Sequence, residues 1–130
     1  VEVNTNTEDY IAYCFHSVEG YSKIGSYTGN SNADGVFVYT GFSPEFLMVK
    51  LYGAGGDGWG MWDNKRVGYN VNANNLLAND SAAQSTATSS EIDFVSNGFK
   101  ARNSSGLLNA TNGHIFIAFA ETPFRTSNAR

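Results

Sequence analysis

Cysteine is nearly absent from this 130-residue chain: the single Cys14 excludes any intramolecular disulfide, so stability has to come from packing. Cys14 sits within the apolar run Tyr10–His16, which reads it as a buried, inert thiol. Charge is sparse as well. Only 15% of residues are charged, the net charge is −4, and Lys and Arg are scattered singly, so there is no basic stripe to hold nucleic acid. No apolar run approaches the roughly 20 residues that span a bilayer as a helix. Proline occurs only twice. The chain opens on Val rather than Met and shows no secretory leader, which suggests a C-terminal piece of a longer protein or a processed product.

What is present points to one architecture. Fourteen glycines, 14% aromatic residues and polar positions filled by Asn, Ser and Thr describe an all-β domain with many turns. A domain of this length buries roughly two-thirds of its unfolded surface, enough for one core. Residues 1–9 read as a linker or arm, and 10–130 as a single domain. Apolar alternation on both faces of Tyr10–Ser17 suggests a strand covered on both sides, and His114–Glu121 closes the chain with a near-echo of it. These two are expected side by side in one sheet. Between them, strands are expected over 23–28, 36–40, 46–52, 92–95 and 99–102, with an irregular segment or a short edge strand over 63–75 and one more short strand at Leu107–Leu108. Asn97-Gly98 is expected to supply a two-residue turn with positive φ angles. About eight to ten short strands make an antiparallel β-sandwich or jelly roll.

Candidate chemistry is thin. Gly53 to Gly58 matches Gly-x-Gly-x-x-Gly after a strand, but Trp-Gly-Met-Trp follows where a phosphate-binding helix would have to open, so a hairpin loop is the better reading. His16 and His114 each stand without a partner at ligand spacing, and read as histidines bonded within or at the edge of the core. No serine occupies a nucleophile elbow. Asp57, Asp63 and Asn64 lack the spacing of a calcium loop. No catalytic residue, metal or cofactor is called for. One constellation remains: Trp59, Met61, Trp62 and Tyr69 beside Asp57 and Asn64 offer aromatic faces with amide and carboxylate partners, as a carbohydrate site requires. The competing reading makes both tryptophans a plug at the end of the core. Asn-x-Ser/Thr sequons at Asn79, Asn103 and Asn109 are expected by chance in so Asn/Ser/Thr-rich a chain.

One stretch carries a resemblance. Asn4-Thr5-Asn6-Thr7, Tyr10 to Lys23 and Gly25-Ser26-Tyr27-Thr28-Gly29-Asn30 resemble a domain of phage virion proteins, found in tail-fibre-like and other structural proteins of marine and cyanobacterial phages. Asp63-Asn64-Lys65-Arg66, Gly68-Tyr69-Asn70, Ser96 to Lys100 and Ile115 to Phe124 extend it over almost the whole chain. The resemblance implies a non-enzymatic β-rich virion module on a tail fibre or other surface appendage. It also implies other virion proteins as partners, assembly as a homotrimer, and recognition of host surface glycans. It places the most variable sequence at Gly53–Trp59 and brings no binding residues with it. A capsid decoration or cement domain, and a free carbohydrate-binding module, are the alternative expectations.

Overall fold

The computed structural model describes residues 5–53, 58–104 and 106–124. The chain forms an all-β sandwich of two antiparallel sheets. β1 (Ser22–Thr28), β3 (Pro44–Leu51), β4 (Trp59–Asp63), β5 (Leu76–Leu77) and β8 (Gly113–Ala120) make a five-stranded sheet in the order β1-β8-β3-β4-β5. β2 (Phe37–Tyr39), β6 (Ile92–Val95) and β7 (Gly98–Ala101) make a three-stranded sheet in the order β2-β7-β6.

Alternation along each strand decides which residues meet. Leu47, Val49 and Leu51 of β3 face inward beside Phe116 and Ala118 of β8 and Trp62 of β4, as the period-2 pattern requires. From the smaller sheet come Val38, Ile92, Phe99 and Ala101. The aromatic rings join the layers edge to face: Phe99 lies 5.5 Å from Phe116 and 5.8 Å from Tyr27, at interplanar angles of 74° and 73°.

The sandwich is closed at one end by a four-residue helix, α1 (Gly106–Asn109), where the doublet Leu107–Leu108 was expected to form a strand. Leu108 is fully buried. Two inward side chains of the large sheet hold this turn. The Tyr27 hydroxyl donates to the Leu108 carbonyl at 2.7 Å, and His114 Nε2 lies 3.1 Å from the Gly106 carbonyl, which can only accept. The two rings stack at 4.8 Å. Burial pushes the Tyr27 phenol far above its ordinary range, which favours the protonated form that donates this hydrogen bond.

The expected hairpin is present, for a different reason. Val95 pairs with Gly98, so the turn residues are Ser96 and Asn97, and neither has a positive φ. Gly98 serves close approach instead. A Cβ there would lie 2.1 Å from the Val38 carbonyl oxygen, in the backbone of the neighbouring strand β2. Gly98→Ala is therefore expected to push β2 from β7 and destabilise the domain by about 1–3 kcal/mol in denaturant unfolding.

The largest departure from expectation concerns Tyr10–Ser17. It is not a strand, and it does not lie in a sheet with the closing strand; β8 pairs with β1 and β3 instead. All eight of its residues are exposed, Cys14 included, so the buried thiol is corrected too. The local cause is visible at the edge of β1. Val18 pairs with Ser22, which starts an antiparallel ladder. The Ser17 hydroxyl then accepts from the Ile24 N–H at 3.0 Å and donates to the Ile24 carbonyl, taking both groups that the backbone of His16 would have used. The ladder stops there.

Candidate functional site

The segment after β4 bridges the two sheets through asparagine side chains. The Asn72 backbone exchanges both hydrogen bonds with Ile92 of β6, while its side-chain amide donates to the Asp63 carbonyl at 2.7 Å. Asn70 acts as a substitute strand: its amide donates to the Phe94 carbonyl at 2.7 Å and its carbonyl accepts the Phe94 N–H at 2.9 Å. A cis peptide joins Asn70 to Val71. Held at both ends, this segment presents Tyr69 outward, with 75% of the residue exposed.

Beneath Tyr69 is an open cleft of about 380 Å³, walled by Ser43, Asn64, Lys65, Asn70, Phe94 and Glu121. That volume lies within the range of small-ligand sites. Lys65 Nζ is 3.0 Å from Glu121 Oε1 and 3.7 Å from Glu45 Oε1. The hydrogen bond from Lys65 holds the Glu121 carboxyl below its usual range, and Asn64 and Ser43 contribute. It raises Lys65 in turn. Both groups therefore stay charged through neutral and mildly acidic pH. Asn64 Oδ1 is buried and has no partner among the described residues, an acceptor with unused capacity at the cleft wall. A second hollow, of about 530 Å³, shares Ser43 and Glu121 as a common wall and continues toward Gly20 and Phe124. Together the two offer an exposed phenol ring, amides, a hydroxyl and a fixed ion pair along one groove.

The residues singled out from sequence divide among four places. Asn64 and Tyr69 come together in the cleft. Trp62 does not join them. It is fully buried, its indole N–H donates to the Ser90 carbonyl at 3.0 Å, and it has no accessible face on which a sugar could stack. Trp59 sits on the outer face of the large sheet, in a separate apolar groove with Phe46 and Met48. Asp57 lies outside the described residues, as does the middle of the Gly53–Gly58 loop.

Asp63 caps its own turn, accepting from the Lys65 and Arg66 N–H groups at 3.0 and 2.8 Å and pairing with the Arg66 guanidinium. Burial works to raise its carboxyl, but these hydrogen bonds outweigh it and hold the group low. The histidines are far apart in environment: His114 is fully buried against α1, whereas His16 is exposed in the N-terminal arm, not at the edge of the core. Among the cleft residues that sequence reasoning passed over are Asn70, Lys65 and Glu121. For Lys65 and Asn70 the only signal was adjacency, since Asn64-Lys65 and Tyr69-Asn70 are neighbours along the chain; Glu121 had none.

The family model described as a domain of unknown function (DUF7483) matches residues 1–123. The chain belongs to that family. No curated protein and no solved structure matches it. For this DUF7483 domain the match covers both sheets, α1 and every residue of the cleft, so cleft and sandwich belong to one family unit. Among the described residues no helix is long and apolar enough to cross a membrane.

Proposed function

We propose that this DUF7483 domain is a non-enzymatic structural module of a phage particle, displayed on a tail fibre or other surface appendage. It touches host surface glycans through the Asn64–Tyr69–Glu121 cleft. The observation that carries the reading is the cleft's construction. An exposed aromatic ring stands over amide, hydroxyl and carboxylate groups whose positions are held by backbone hydrogen bonds and an ion pair. Sugars present apolar C–H faces edged by hydroxyls, and that combination of ring and fixed polar groups suits them. The resemblance of residues 4–30 to virion domains supports the setting.

A glycan array with the 130-residue chain tests this. Binding to a restricted set of glycans is expected, and Tyr69→Ala should weaken it by about 3- to 10-fold, the worth of one aromatic contact. Asn64→Ala should weaken it similarly, whereas Trp59→Ala should leave it unchanged. Because Tyr69 is exposed, its variant should melt with the parent. Flat binding across the array, or binding indifferent to Tyr69 and Asn64, overturns the reading.

A further inference from the structure

The cleft beneath Tyr69 is one half of a longer groove. Ser43 and Glu121 line both hollows, so the volumes of about 380 and 530 Å³ meet along these two residues. Each alone lies within the range of a small-ligand site, and together they exceed what a single sugar ring fills. An exposed aromatic ring stands in each half, Tyr69 in one and Phe124 in the other. Phe124 is held in place. Its N–H donates to the Gly20 carbonyl at 3.2 Å, and its ring lies on Tyr21 with centroids 5.4 Å apart and planes 7° from parallel. The charge of the groove is one-sided. Glu121 sits at the junction and Glu19 lines the Phe124 half, where neither Lys nor Arg is present among the described residues. Glu19 has no ion-pair partner among the described residues. The cation of the Tyr69 half, Lys65, is already engaged by two carboxylates, Glu121 at 3.0 Å and Glu45 at 3.7 Å.

We infer, resting on the glycan reading above, that the joined groove takes two or more sugars of a neutral linear glycan and turns away chains that carry carboxylates. The two rings are separate platforms, so each holds one sugar by its C–H face. The carboxylates of Glu19 and Glu121 can only accept hydrogen bonds, and the hydroxyls of a neutral sugar are the donors they need. A uronate or sialate brings the opposite group. Its carboxylate adds one more acceptor, and a like charge about 4 Å away costs roughly a factor of five in affinity even in water-like surroundings. Lys65 gives little relief, because a third carboxylate would have to displace one of the two that already hold it. At longer range the net charge of −4 acts in the same direction.

The glycan array, read by charge and by chain length, tests this. Isothermal titration calorimetry then gives dissociation constants for each bound chain, for its single sugars and for its uronate- or sialate-bearing counterparts. Neutral chains should bind about 3- to 10-fold tighter than their single sugars, the worth of the second ring. Their acidic counterparts should bind at least about fivefold weaker, and the gap should narrow as salt rises from about 20 to 500 mM. Glu19→Gln should also narrow that gap while leaving neutral chains nearly unchanged. Phe124→Ala should remove the advantage of length and spare the single sugars, which Tyr69→Ala weakens. Glu19 and Phe124 are both exposed, so circular dichroism should show folded variants. Acidic chains bound as tightly as neutral ones, a gap indifferent to Glu19→Gln and salt, or single sugars bound as tightly as chains would overturn this inference and leave glycan binding standing. An array on which nothing binds overturns both.

Discussion

Trp62→Ala should cost this domain about 3–5 kcal/mol, lowering its melting temperature on the order of 10–20 °C, without touching ligand binding directly. The indole fills the inner face of β4 opposite Leu47, wholly out of solvent. Its fit depends on the residue two before it. A Cβ on Gly60 would meet the far edge of the Trp62 ring at 2.4 Å, so the ring lies over a strand position that only glycine leaves open. Truncation thus leaves a cavity whose floor has no side chain to collapse into it. The Ser90 carbonyl also loses its donor. Trp62→Phe separates the two effects. It keeps most of the apolar volume and deletes only the N–H, so a loss of about 1–3 kcal/mol is expected from the unpaired carbonyl and the smaller ring. Unfolding by guanidinium, followed by circular dichroism, measures both. A Trp62→Ala protein as stable as the parent would return this residue to the surface.

That prediction also shows why the two tryptophans were inseparable from sequence. Trp59 and Trp62 both follow a glycine loop, and both belong to an apolar stretch. Their fates differ by parity: Gly60 and Trp62 pair with inward Val49 and Leu47, while Trp59 and Met61 pair with outward Lys50 and Met48. Parity follows from register, and register here depends on β3, whose own alternation of Leu47, Val49 and Leu51 against Phe46 and Met48 was readable. The inner face of the sandwich was therefore legible wherever a strand was long. Short doublets were not, because Leu107–Leu108 fits a strand or a helical turn equally well until Tyr27 and His114 supply partners for the Leu108 and Gly106 carbonyls. The arm fails for another reason. Its two-faced apolar pattern reads as a strand covered on both sides, but a pattern cannot show that the Ser17 hydroxyl takes the Ile24 groups on which the ladder would have continued. The cleft was half legible: Asn64 and Tyr69 carry recognisable chemistry, whereas Glu121 reaches it from the far end of the chain.

Asn109 is the second position where one substitution should have a large effect, and it lies in a sequon that composition alone dismisses as chance. The side chain is fully buried at the end of α1. Its carbonyl oxygen accepts the Asn30 N–H at 3.0 Å, and its amide reaches Asn30 Oδ1, the Asn32 carbonyl and the Asn103 carbonyl at 2.7–2.8 Å. Two amide hydrogens serve three acceptors, so one is shared. The backbone carbonyl of Asn109 also takes the Ser31 N–H at 2.7 Å. This single residue thus ties the 29–35 loop to α1 and the segment after β7. A buried amide of this kind is out of reach of glycosylation in the folded protein, and so is Asn103, whose amide donates to the Glu91 carbonyl. Asn109→Ala is expected to cost about 2–4 kcal/mol, less than the bond count suggests because Asn30 and Asn32 are exposed and water can replace their partner. Asn109→Asp should be worse at neutral pH, since it keeps the acceptor but turns a carboxylate oxygen toward three acceptor oxygens. The sign of its pH dependence follows. Burial and facing carbonyls raise the introduced carboxyl above its unfolded value, so the penalty is full above the folded pKa and shrinks as pH falls toward the unfolded pKa of about 4, where the protonated group again donates. Measured against the parent at each pH, Asn109→Asp should recover on acidification while Asn109→Ala stays constant. A penalty independent of pH would mean that the amide acts through its volume rather than through its hydrogen bonds.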